Sequence, residues 1–416
     1  MTSKRPEAIA AIAGTLRSSV SRRRLLQAAG LTGAAAVAAA CGTGDSAPAA
    51  SEAAAAGDGA EAAPESSAAA DMSDSEKVVM WSNWPLYIDY DDEETGRPTL
   101  DAFQKETGIA VTYNEDINDN NEFYAKVRTQ LEQGQSIDRD LVVLTDWMAA
   151  LWIQNGYAQK LDKAQIPNAK NLNPKYMGVS FDPNRDYSMP WQSGFGGLGY
   201  NIDGIDKALG TQELVSLDQL FDPALKGRVT VLSEMRDTMG CILAWQGADP
   251  GNFTTAEFET AIAALTEQVD SGQIRQVTGN DYVAALESGD VIACIGWSGD
   301  VYALEGNFGF SIPESGGMLW TDNMLVPASS THKKNAEAVI NYYYDPVVAA
   351  EVAAWVWYIC PVDGAQEAML EIDPELAESP WIFPSKEILD QTSVFMELTP
   401  EQDVEYQRLF QRAIGN

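Results

Sequence analysis

From Lys77 onward, short β-branched apolar runs alternate with stretches whose apolar positions recur every three or four residues. Lys77–Trp81 predicts a strand, and Thr99–Thr107 a short helix stopped at Gly108. Ile109–Tyr113 and Asp140–Thr145 predict further strands, followed by helices over Glu122–Gln133 and Trp147–Asn155. The rhythm resumes later in the chain. Arg228–Leu232 and Asp290–Ile295 predict strands, with an amphipathic helix over Thr255–Ser271 between them. Strand–helix alternation of this kind predicts an α/β fold with parallel strands and crossover helices. A Pro/Gly-rich stretch, Pro190–Asn201, separates the two halves and predicts a hinge between two lobes.

The N-terminus has another character. Ser21 and the basic run Arg22, Arg23, Arg24 precede an apolar, small-residue stretch, Ala28–Ala40, that ends at Cys41. A basic region, a short apolar region and a small-residue cleavage site make a secretory signal. The paired arginines resemble a twin-arginine export signal, and Ala38–Cys41 resembles a lipoprotein cleavage box that would place a lipid on Cys41. Residues 42–76 are rich in Ala, Ser, Gly and acids, with no Lys, Arg or aromatic residue. Such a segment cannot bury a core and reads as a disordered tether. Residues 1–40 are thus expected to be the signal and 41–76 the tether. Of the remaining cysteines, Cys241, Cys294 and Cys360, at most two can pair. A Cys241–Cys294 disulfide and three reduced thiols both stay open.

Charge narrows the function. The chain holds 27 Lys+Arg against 61 Asp+Glu. Six of the bases and one acid lie in the first forty residues, which leaves residues 41–416 at −39. A surface that acidic repels nucleic acid and attracts cations. The single histidine, His332, disfavours triads and multi-histidine metal sites. Gly194, Gly196 and Gly199 fit a dinucleotide-binding spacing, but Tyr200–Gly204 reads as a turn with no helix after it. Asp116, Asn118 and Asn120 begin like a calcium loop. Asn121 and Val127 then stand where Gly and Glu are needed, so a polar turn capping the next helix is expected.

What remains is a recurrence of aromatics beside carboxylates just past the expected strands. Trp84 and Tyr87 follow one strand, and Thr145 and Trp147 close another. Glu234 and Asp237 follow a third, and Trp297 with Asp300, and Trp320 with Asp322, repeat the theme. In α/β sheets, ligands bind beyond the carboxyl ends of strands. Aromatic faces cover methylenes and attract cations, and carboxylates accept charged N–H bonds. The set suits an alkyl ammonium ligand.

These residues carry a family resemblance. From Lys77 to the C-terminus the chain resembles the spermidine/putrescine-binding proteins of bacterial polyamine ABC importers. The resemblance rests on Asn83-Trp84 with Tyr87, Asp140–Val143, Phe181–Asn184, Asp186–Pro190, Lys226-Gly227, Gly316–Asp322, and Tyr358 with Pro361. It implies a two-lobed periplasmic-binding-protein-like fold, each lobe a mixed, mostly parallel sheet flanked by helices. Residues 77–195 plus 320–369 would form one lobe, and 196–319 plus 370–416 the other. By matching position, Trp84, Trp297 and Trp320 would wall the ligand chain, Thr145 and Trp147 would line the site, and Glu234, Asp237 and Asp322 would meet ammonium groups. Tyr358 matches the family's site tyrosine. Pro85, Leu86 and the Phe395-Met396 pair depart from the pattern. The implied protein is a lipid-anchored, extracytoplasmic, monomeric binder that delivers a polyamine to a membrane permease, with no catalysis, cofactor or metal. The same fold holding another solute, an exported carboxylate hydrolase and a structural lipoprotein are the rival readings.

Overall fold

A computed structural model of the chain describes residues 70–91, 95–304 and 306–415. The signal, Cys41 and the tether up to residue 69 lie outside the described residues.

Ten strands join in one hydrogen-bonded sheet among the described residues. They are β1 (Val78–Asn83), β2 (Ala110–Glu115), β3 (Leu141–Thr145), β4 (Ser188–Asn201), β5 (Val229–Leu232), β6 (Ile274–Thr278), β7 (Ala293–Trp297), β8 (Phe308–Ser311), β9 (Gly317–Leu325) and β10 (Thr392–Ser393). Their order is β2-β1-β3-β9-β4-β7-β5-β6, with β8 on β4 and β10 on β9. The outer groups are parallel: β2, β1 and β3 at one end, β7, β5 and β6 at the other. Long antiparallel strands β4 and β9 join them. The early part of β4 pairs with β9, and its last residues with β7 and β8. The mixed, two-lobed α/β fold is therefore as expected.

Burial explains the strands. Leu141, Val142, Val143 and Leu144 are all fully buried, as are Val229 and Val231, because helices cover both faces. The helices carry their own punctuation. In α1 (Pro98–Thr107) a proline fits the first turn, and Gly108 stops the helix at φ +72°. Asp119 caps α2 (Asn120–Glu132) by accepting from the N–H groups of Asn121 and Glu122. A capping box of Thr254 and Glu257 starts the long helix Thr255–Asp270.

Two expectations need correction, and the expected crossing between the halves takes a form of its own. Pro190–Asn201 is a fully formed strand, and its glycines are there for close approach: a Cβ on Gly194 would lie 2.8 Å from Tyr358 Cδ1, and one on Gly196 2.5 Å from Asp237 Oδ1. A helix, Ile202–Leu209, does follow the glycine pattern, with Asn201 as its cap. The dinucleotide reading still fails, because the glycines lie inside a ladder instead of a phosphate-binding turn. The tether's last residues are also packed: Met72 N–H donates to Thr331 O, and Ser73 is buried beside Asn335. The cysteine question resolves to free, buried thiols at Cys241, Cys294 and Cys360.

Candidate functional site

Parallel strands β1, β3, β5, β6 and β7 deliver their next residues to one place. Trp84 follows β1, Thr145 ends β3, Glu234 follows β5, Asn280 follows β6 and Trp297 ends β7. Trp320 and Asp322 come from inside β9, where two-residue spacing puts both on one face. With Pro85, Tyr87, Asp237, Asp300 and Tyr358, they line a narrow slot of about 40 Å³. Every expected ligand-binding residue is in it except Trp147.

Aromatic rings form the walls in edge-to-face contact. Trp297 lies 6.3 Å from Trp84 and 6.4 Å from Trp320 between ring centres, and Tyr358 lies 5.3 Å from both Trp320 and Tyr87. Trp84 is fixed by donating its indole N–H to Val143 O at 3.1 Å. Four carboxylates face the slot, and no Lys, Arg or His stands among its lining residues. Asp322 accepts from Tyr87 at 3.0 Å and from Thr145 at 2.7 Å. Asp237 accepts from the Trp297 indole at 3.1 Å, and Asp300 from Asn280 and Tyr282 at 3.0 and 3.1 Å. Glu234 accepts from Asn120 at 3.0 Å, leaving its other oxygen buried and unpaired.

Burial sets the electrostatics. Desolvation pushes Asp322 and Asp237 up to about 7, against the hydrogen bonds from Thr145 and Trp297 that favour their charged forms. Glu234 is raised well above the usual carboxylate range by the same burial, with the Asp119 charge adding to it. These groups gain most from a cation.

The structure moves one expected residue. Trp147 walls an adjoining cavity, because the Arg236 guanidinium lies 3.9 Å over its ring. Arg236 itself turns away from the slot to pair with Asp403 at 2.8 Å. Asn280 was not foreseen. Its strand, Ile-Arg-Gln-Val-Thr, carries polar residues at exposed positions and gives no apolar run, although the strand-end rule finds Asn280 once β6 is known.

A second network crosses the cleft. Asn120 sits at the start of α2, and its side-chain amide donates to Thr145 Oγ1 at 2.9 Å as well as to Glu234. Ser233 donates to the capping carboxylate of Asp119 at 2.9 Å. The would-be calcium loop thus caps its helix, as expected, and also ties the β2 end of the sheet to the β5 end.

Comparison with known proteins agrees with this geometry. The family profile for bacterial extracellular solute-binding proteins matches residues 99–383. The chain belongs to that family. It is 31% identical over 330 residues to the putrescine-binding periplasmic protein PotF of Escherichia coli, a match covering 75% of this chain and 85% of that one. It is 27% identical over 320 residues to the spermidine/putrescine-binding periplasmic protein of the same organism, covering 76% and 86%. In fold it matches the spermidine/putrescine ABC transporter substrate-binding protein PotD of Streptococcus pneumoniae at a TM-score of 0.64, with 23% identity over 81% of this chain and 98% of that one.

Proposed function

We propose that this chain captures a polyamine, putrescine or spermidine, in the slot between its lobes and passes it to the permease of an ABC importer. The observation that carries the reading is a slot with four carboxylates, no basic lining residue and three tryptophan walls. A diammonium chain supplies the missing positive charges at its ends, and its methylenes lie against the rings. Relatives named for putrescine and spermidine binding support the choice. The export signal and Cys41 support an extracytoplasmic protein, sent out by the twin-arginine route and lipid-anchored.

Calorimetry tests the reading: putrescine or spermidine binds, and diols of equal length do not. Asp322→Asn keeps the shape and removes the charge, so it should cost about 1.5–3 kcal/mol, or roughly ten- to hundredfold in affinity. Unchanged affinity in that variant would remove Asp322 from the ammonium site.

A further inference from the structure

Beside the slot lies a larger cavity of about 450 Å³, and the two share Thr145, Glu234, Asp237 and Trp320. A ligand that outgrows the slot thus has the second cavity next to it. The walls of the second cavity are largely apolar, with Leu151, Phe181, Phe395 and Met396 among them. Glu234 and Asp237 belong to the slot as well; of the acids that only the second cavity has, Asp403 holds Arg236 at 2.8 Å and Asp146 accepts from Asn323 at 2.7 Å, while Glu397 is exposed. What it has in surplus is donors. Arg236 Nη1, Trp147 Nε1 and Trp320 Nε1 are all buried without a partner, and Glu234 Oε1 is the unpaired acceptor beside them. Buried polar atoms are almost always paired, so this asymmetry describes the molecule that fits. A second ammonium would add donors to donors. A carbonyl oxygen would accept from them.

We propose that the cleft is built for a mono-N-acylated diamine: its free ammonium in the carboxylate slot, its amide oxygen toward Arg236 and Trp147, and its acyl chain along the apolar wall. The proposal rests on the polyamine reading of the slot. It assigns the second cavity to ligand selection.

Calorimetry with putrescine and N-butanoylputrescine tests it on the same preparation. N-butanoylputrescine should bind about tenfold more tightly, as expected for an oxygen meeting a charged donor. Trp147→Phe keeps the ring under Arg236 and removes the indole N–H, and should narrow the ratio of the two affinities about threefold or more. Putrescine binding with equal or weaker binding of the acylated diamine overturns the proposal and leaves the polyamine reading standing. Binding of neither overturns both. A Trp147→Phe protein with an unaltered ratio removes the donor role of the second cavity.

Discussion

Asp322 and Asp237 are taken out of water before any cation reaches them, which raises both to about 7. The proton then competes with the ligand. A polyamine's ammonium groups, like a lysine's, titrate near 10 and stay charged throughout this range. The sign follows: the carboxylate form binds the cation, so affinity is full above pH 7 and falls as pH drops below it. Between pH 8 and pH 6 the loss should be about tenfold if one carboxylate takes up a proton and about hundredfold if both do. Titration calorimetry in buffers of different ionisation enthalpy checks this by counting protons released on binding at pH 6. Affinity that is flat from pH 8 to 6 would mean that both groups are already ionised in the empty slot. For the fold without ligand the direction reverses. Folded values near 7, above unfolded ones near 4, favour the folded state at the acid end and lose that contribution as pH rises through 7.

At the scale of elements, the start of α2 is where closure can be tested. Asn120 is fully buried and joins Thr145, itself bonded to Asp322, to Glu234 at the far end of the sheet path. A cation that pairs with Asp322 or Glu234 strengthens a chain of bonds that exists only while the two sides are together. Asn120→Ala removes the cross-cleft bond to Glu234 and, on its own side, the bond to Thr145 that orients the amide, at roughly 1 kcal/mol each. Polyamine affinity should fall about five- to thirtyfold, chiefly through faster release. Stopped-flow tryptophan fluorescence measures that rate, and an unchanged dissociation rate would show that the network does not hold the closed form. This network was half legible in the sequence. The polar turn and its capping role follow from Asp119 preceding a helical pattern, but the partner Ser233 lies 114 residues away, and no local pattern encodes it. The same limit explains the other differences. Strands with regular apolar runs, β1, β3 and β5, are readable within a residue or two. β4 is not, because its glycines make room for Trp320, Tyr358 and Asp237, and local propensity reads such a run as a loop. Arg236 is likewise legible as a base beside two acids, whereas its turn toward Asp403 depends on a helix that begins 164 residues later, at Pro400.

The whole molecule joins an acidic binding body to a segment that ends in firm contacts. Residues 41–416 carry −39, so an anionic membrane surface repels the body, and long-range charge gives it no reason to stay there. Under the proposed lipoprotein reading, attachment is covalent, through Cys41. The folded body is already engaged by residue 72: Met72 bonds Thr331, Asn335 donates to Glu76 O at 2.7 Å, and His332 bridges Glu76 and Asp140 at 3.0 Å each. Cys41 lies well upstream of these contacts, so changing it should alter location without altering the fold. Cys41→Ser should move the protein from the membrane fraction to the soluble one, with the melting temperature and polyamine affinity of the parent body. Fractionation followed by a high-salt wash decides the matter, because salt strips proteins held by charge and leaves those held by an acyl chain. If the Cys41→Ser protein stays with the membrane after that wash, the anchor lies elsewhere in the chain.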